Sequence, residues 1–131
     1  MIKKDAFYFK HDSNARSDLK IRRLIKRYGW QGYGWWWVLI EIMREQANYL
    51  LEYGEDTFDA LSSEIGFAQN KEAQDFIDSL LSIKLLQRDS DGNLFSARLC
   101  ADMKYKDDLR EIKREAILKR WGKELTPLDA P

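Results

Sequence analysis

The chain is poor in the residues that form covalent cross-links and metal sites. Cys100 is its one cysteine, so it can form neither an intrachain disulfide nor a cysteine-rich zinc site. His11 is its one histidine, which excludes phosphohydrolase sites that need several histidine ligands. A P-loop, a zinc motif and a nucleophile elbow are all absent from the sequence. We therefore expect no catalytic residues, no cofactor and no metal.

Long apolar runs are also missing. The longest, Trp35 to Ile40, has six residues, far below the ~20 that a membrane span requires. The first residues, MIKKDAFYFKHD, lack the apolar core of a signal peptide. Because a lone cysteine also fits a reducing compartment, we expect a cytoplasmic protein that does not enter a membrane.

What the chain has in quantity is charge, distributed unevenly. Its formal net charge is zero, with 22 basic and 22 acidic residues. Residues 1–27 nevertheless carry a net +6, residues 28–97 a net −8 and residues 98–123 a net +4. This segregation favours a polyanionic partner for the two basic parts, or the docking of those parts on the acidic middle.

The apolar periodicity predicts a mostly helical protein. Ile21, Leu24, Ile25 and Tyr28 form a helical stripe that begins after a cap at Ser17 or Asp18 and ends at Gly29. The paired glycines predict a tight turn over residues 31–34 before a second helix from about Gly34 to Asn48. Short extended pieces are expected at Phe7–Phe9 and Tyr49–Tyr53.

The second half of the sequence predicts two further helices, a hairpin and a last helix. Thr57 is expected to cap a helix over Phe58–Ile65 that Gly66 ends. The remaining expected elements are a helix at Asn70–Ile83, strands at Leu85–Arg88 and Leu94–Ala97 joined by a turn at Asp91-Gly92, and a helix from Ala97 to about Trp121.

This order predicts a mainly α fold with a small β-hairpin: a winged helix-turn-helix with an additional basic N-terminal helix and a long C-terminal helix. The expected organisation is a winged-helix domain at residues 1–96, the long helix at 97–122, and a flexible tail or truncated linker at 123–131.

Two blocks of sequence carry a family resemblance. The block YFKHDSNARSD–KIRRLIKRYG–GYGWWWVLIE–MRE, from Tyr8 to Glu45, resembles the N-terminal domain of phage-type replisome organizers. These are proteins of prophages and mobile elements that are related in layout to DnaD-type primosome components. The segment Ile65 to Leu99 resembles the last helix and wing of the same family. The resemblance implies a role in replication initiation, through a domain that binds DNA or assembles with its own copies.

The candidate DNA-binding residues fall in three groups. The first is the basic face of the N-terminal helix, which can neutralise several phosphates. The others are the start of the recognition-position helix, whose outward face is otherwise acidic, and the wing, expected at residues 89–93. The full set is Lys20, Arg22, Arg23, Lys26, Arg27, Gln69, Asn70, Lys71, Gln74, Arg88 and Asn93. Trp37 lies on a charged helix side, where we expect the N-terminal segment or the last helix to cover it.

Three functions remain open at this point. The first is a DNA-binding accessory domain for phage or mobile-element replication, with single-stranded and duplex DNA both open and replication proteins as further partners. The second is a non-enzymatic assembly module that forms a homo-oligomer through Ala97–Trp121. The third is a transcriptional regulator. Ion pairs from the basic face to Asp75, Asp78 or Glu64 would favour assembly, whereas exposed and unpaired cations would favour DNA.

Overall fold

The computed structural model describes residues 11–122 of the chain, and side chains up to residue 120. Its four helices are α1 (Leu19–Glu45), α2 (Glu55–Leu61), α3 (Asn70–Ile83) and α4 (Ala97–Gly122). Two short antiparallel strands, β1 (Gln87–Arg88) and β2 (Leu94–Phe95), separate α3 from α4. The fold is therefore mainly helical with a small hairpin and a long last helix, as the sequence predicts. The extended piece expected at Phe7–Phe9 lies outside the described residues.

α1 is kinked at Gly29. This residue has φ 72° and ψ −167°, a combination that is essentially restricted to glycine. It divides α1 into a basic segment, residues 19–28, and a tryptophan segment, residues 30–45. Asp18 caps the basic segment, since its carboxylate accepts hydrogen bonds from the backbone N–H groups of Lys20 and Ile21 at 2.9 and 3.2 Å.

The tight turn predicted over residues 31–34 is wrong, because these residues are already helical. Within α1, the non-helical backbone conformation is found at Gly29. Gly32 has a packing role in the helix: a Cβ there would lie 2.4 Å from the Cβ of Tyr28. The first glycine of the predicted turn, Gly32, thus allows close approach of the two α1 segments.

Of the next two helices, α3 has both predicted ends, whereas α2 begins three residues before the predicted Phe58 and ends at Leu61 instead of Ile65. α2 begins at Glu55, after Gly54, so Thr57 lies within the helix and is not its cap. The chain continues into a π-helical turn, Ser62–Gly66, that ends at Gly66 with φ 96°. α3 has the predicted bounds and is followed by Lys84, which adopts the left-handed conformation with φ 72°.

The hairpin pairs Gln87 with Phe95 and Arg88 with Leu94. Its strands are shorter than predicted, and Gly92 supplies the positive φ of the turn at 84°. The strand expected at Tyr49–Tyr53 is reduced to a single bridge between Leu51 and Leu94, preceded by a 3-10 turn at Ala47–Tyr49. That bridge fastens the chain after α1 to the hairpin.

The core of the first part of the chain lies between α1, α2 and α3, closed by the hairpin. Its fully buried members include Leu24, Leu39, Met43, Leu61, Phe76, Ile77, Leu80, Leu86 and Leu94. Of the apolar stripe predicted for the first helix, Ile21 and Leu24 are buried, whereas Ile25 and Tyr28 are half-buried.

The chain divides into two compact units, the first ending at Cys100 and the second beginning at Ala101. The division falls inside α4, so the first turn of that helix belongs to the first unit. Among the described residues, no helix is both long and apolar enough to cross a membrane.

Candidate nucleic-acid interface

The basic segment presents five cations on one side. Its apolar residues Ile21 and Leu24 are buried, and the helical period therefore turns the intervening positions outward. All five predicted cations are exposed: Lys20, Arg22, Arg23, Lys26 and Arg27. None of them forms an ion pair with any residue between 11 and 122. Among the five side chains, only that of Lys20 forms a hydrogen bond there, donating from Nζ to the carbonyl oxygen of Lys84 at 3.3 Å.

Tyr28 fixes this segment against α3. Its hydroxyl lies 2.8 Å from the Ser79 hydroxyl and donates to the Asp75 carbonyl oxygen at 3.4 Å. Its ring meets Phe76 edge-on, with centroids 5.4 Å apart. Trp35 and Phe67 complete a four-ring cluster with contacts of 4.6 to 5.9 Å. Because aromatic pairs of this geometry contribute about 0.5–1.5 kcal/mol each beyond area burial, the basic segment is held in one orientation.

The start of α3 offers fewer free groups than the sequence suggests. Lys71 pairs with Asp75 one turn later at 2.9 Å, and this carboxylate raises the pKa of the lysine. Gln74 donates to the Tyr53 hydroxyl at 3.4 Å. Of the four candidates on this helix, Gln69 is exposed and Asn70 half-buried, and no hydrogen bond of their side chains is seen within residues 11–122.

Tyr53 connects α3 to the hairpin. Its hydroxyl donates to Asp78 at 2.7 Å, and that hydrogen bond is the main cause that raises the pKa of the Tyr53 phenol. The Arg88 guanidinium lies over the Tyr53 ring, 4.3 Å from its centroid, while Arg88 Nε donates to the Gly92 carbonyl oxygen at 3.1 Å. The Arg88 guanidinium thus makes both of these contacts within the chain, although its sequence position predicts a phosphate contact.

The tip of the hairpin is organised by Asp89. Its carboxylate accepts the backbone N–H groups of Asp91 and Asn93 at 2.9 and 2.8 Å, an Asx-type turn. Asn93 is half-buried beside this acidic group. With Asp89 and Asp91 in five residues, the tip is poorly suited to a phosphate contact.

A second aromatic cluster lies along the tryptophan segment, and Trp30 is the member that the sequence reasoning missed. Trp30 meets Tyr33 edge-on at 5.7 Å, and Tyr33 meets Trp37 edge-on at 6.2 Å. His11 stacks on Trp37 with centroids 3.5 Å apart, so the N-terminal segment covers Trp37 as expected. Trp30 itself is 65% exposed. In the sequence, the position of Trp30 directly after Gly29, the predicted helix end, is the feature that indicates this exposure.

The N-terminal loop is anchored at further points. Asp12 pairs with Arg98, in the first turn of α4, and His11 Nε2 lies 3.2 Å from the Tyr33 hydroxyl. Cys100 is half-buried, and burial raises the pKa of its thiol, which disfavours the nucleophilic thiolate. Within residues 11–122, no group of three or more histidine, cysteine, aspartate and glutamate side chains is arranged to hold a metal ion.

Comparison with known proteins identifies a family. No curated protein and no solved structure matches the chain. Residues 8–99 match the family described as Lin1244/Lin1753-like, N-terminal. This span includes the basic segment, α3, the hairpin and the start of α4. The match covers well over half of the 131 residues, and the chain therefore belongs to the Lin1244/Lin1753-like N-terminal family.

Proposed function

We propose that the chain is a nucleic-acid-binding accessory domain of a replication-initiation protein of the replisome-organizer type. One observation carries the binding proposal: the basic segment presents five exposed cations without an ion-pair partner among the described residues. The assignment to replication rests on the sequence resemblance alone.

The lack of ion pairs matters because the same chain contains an acidic surface that could have neutralised the segment. Residues 28–97 carry a net −8, yet Asp75 pairs with Lys71 and Asp78 accepts from Tyr53. Cations left in water contribute little to stability. A dense row of them on a fixed helix is suited to contacts with successive phosphates, where each contact releases counterions.

A winged helix-turn-helix is the architecture that we propose for the first unit. α2 and α3 occupy the positions of the helix pair, and residues 89–93 that of the wing. The Leu51–Leu94 bridge supports this assignment, since a third extended piece then borders the two hairpin strands. α3 is poorly equipped to bind in a major groove, because its one cation, Lys71, is paired and Asp75 and Asp78 are exposed. We therefore assign the phosphate contacts to the basic segment, and duplex reading by α3, as in a transcriptional regulator, is less well supported.

The proposal is tested by anisotropy titrations of labelled DNA with two variants of equal charge loss. Arg23→Ala/Lys26→Ala removes two cations of the basic segment. Lys104→Ala/Arg114→Ala removes two exposed cations of α4. We expect the first variant to weaken binding on the order of tenfold and the second to change it much less. Equal effects of both variants would mean that overall charge, and not this segment, determines binding.

A second candidate function, assembly with another copy of the chain, is favoured by α4. Within the second unit, Tyr105, Leu109, Ile112 and Ala116 follow alternating four- and three-residue spacing, and all four are exposed. The exposed fractions of Tyr105, Leu109 and Ile112 are 66%, 36% and 61%. We call these four residues the α4 seam. Such spacing is that of the core positions of a coiled coil.

The charges beside the α4 seam indicate the orientation of the partner. Asp108 and Glu115 fall at the positions on one side, and Lys113 and Arg120 at those on the other. In a parallel pair, Asp108 faces Lys113 of the other copy and Glu115 faces Arg120, so opposite charges meet. In an antiparallel pair, like charges meet. A parallel dimer is thus the arrangement that the helix favours.

A further inference from the structure

We infer that Trp30 stacks on an unpaired base, so that the interface prefers single-stranded over duplex nucleic acid. This inference rests on the proposed function and specifies its ligand. It combines the exposure of Trp30 with the position of that residue at the end of the basic segment.

Trp30 is exposed because of the kink. Gly29, with its φ of 72°, ends the basic segment and starts a new helical direction at Trp30. In the first turn of that new helix, the side chain is 65% exposed, unlike Trp36, which is 5% exposed in the core. The indole ring of Trp30 therefore presents aromatic surface to solvent.

The ring is also supported from one side. Tyr33 stands nearly perpendicular to it, with 87° between the ring planes. Tyr33 in turn contacts Trp37, on which His11 stacks with 14° between planes. This chain of contacts reaches from the N-terminal loop to Trp30. A partly supported ring loses less conformational entropy when a ligand stacks on it than a freely rotating one.

The neighbouring cations determine which ligand fits. Arg27 is three residues from Trp30, so their Cα atoms lie at most ~11 Å apart. Both Lys26 and Arg27 are exposed and form no ion pair with a described residue. An aromatic face beside a row of cations is the combination by which proteins bind single strands, since bases stack while phosphates are neutralised. In a duplex the base faces are covered by their neighbours, so the same ring has nothing to stack on.

The test compares two labelled DNAs of about 16 nucleotides, a thymidine homopolymer and a mixed-sequence duplex, by fluorescence anisotropy at constant salt. The variants are Trp30→Ala, Trp30→Phe and Arg23→Ala/Lys26→Ala. Leu19→Ala is the matched control, because Leu19 is 64% exposed at the start of the same helix but has no aromatic face.

We expect Trp30→Ala to raise the Kd for the single strand about tenfold and to change the Kd for the duplex by less than about twofold. Trp30→Phe is expected to retain most of the single-strand affinity, and Leu19→Ala all of it. If Trp30→Ala leaves the single-strand Kd unchanged, or weakens both DNAs equally, while Arg23→Ala/Lys26→Ala still weakens binding, the stacking inference is wrong and the proposed function stands. If the wild-type protein binds neither DNA at low salt, both are wrong.

Discussion

Gly32 and Tyr28 show how one missing side chain determines the approach of two helical segments. The Cβ that Gly32→Ala introduces would lie 2.4 Å from the Tyr28 Cβ, and that atom cannot move without its backbone. We expect the substitution to lower the free energy of unfolding by about 1–3 kcal/mol, measured by urea denaturation. Tyr28 would also lose its hydrogen bond to Ser79, which should loosen the basic segment.

Gly34→Ala is the matched control. No heavy atom lies within 4 Å of a Cβ at Gly34, and the residue is helical. Alanine should therefore raise the free energy of unfolding by about 0.5–1 kcal/mol through its helix preference. Equal effects of the two substitutions would show that the close approach at Gly32 does not constrain the fold.

The Tyr53–Asp78 hydrogen bond predicts a pH dependence. It raises the pKa of Tyr53 above the ordinary value of 10.0, so the unfolded chain loses this proton at lower pH than the folded one. The contribution to stability is therefore complete below pH 10.0 and is lost as the pH rises through the raised pKa. The ultraviolet tyrosinate signal that is lost in Tyr53→Phe belongs to Tyr53. Titration of this signal in the wild type should give a pKa above 10.0. In Asp78→Asn that pKa should move down, and an unchanged value would contradict the assigned cause.

Residue by residue, the sequence predicts burial better than it predicts polar partners. Helical periodicity assigns Ile21 and Leu24 to one apolar stripe, and both are buried, because burial follows a local repeat. It could not show that Arg88 lies over Tyr53 or that Gln74 donates to the same hydroxyl. Those partners are far apart in sequence and depend on tertiary packing, so both side chains were assigned to the nucleic-acid site.

At the scale of the element, α1 shows why helix ends are harder to predict than helix faces. Both Gly29 and the pair Gly32 and Gly34 were candidate reversal points, and glycine permits either a turn or close packing. The packing of Tyr28 on α3 favours the kink at Gly29 over a turn at residues 31–34. This packing is not visible in the sequence. The consequence is that Trp30, assigned to no helix from the sequence, becomes the first residue of the tryptophan segment.

The α4 helix carries the prediction about assembly. Leu109→Glu or Ile112→Glu places a carboxylate in the α4 seam and should abolish a dimer, as measured by light scattering coupled to size exclusion. Ile117→Glu is the matched control, because Ile117 is 53% exposed but lies outside the seam.

The charges beside the α4 seam give a second prediction. Asp108→Lys should weaken the dimer, and Asp108→Lys/Lys113→Asp should restore it. A wild-type protein that stays monomeric at high micromolar concentration would contradict assembly through this helix.

At the scale of the whole molecule, the zero net charge conceals the property on which binding depends. The net +6 of residues 1–27 and the net −8 of residues 28–97 cancel in the total, but the five cations of the basic segment do not pair with the described acidic groups. The sequence shows this separation of charge, but it does not show whether the oppositely charged parts pair with each other. Only the three-dimensional arrangement shows that ion pairs are absent within the described part of the chain, because the sequence is equally compatible with Asp75 and Asp78 facing the basic segment.

The salt dependence of binding tests the role of the basic segment most directly. The Kd for labelled DNA is measured from about 50 to about 200 mM salt for the wild type, Lys26→Ala and Lys104→Ala. If Lys26 contacts a phosphate, the slope of log K against log salt should become shallower by about 1 in Lys26→Ala and stay unchanged in Lys104→Ala. A wild-type affinity that does not vary with salt, or a slope that Lys26→Ala leaves unchanged, would contradict phosphate binding by this segment.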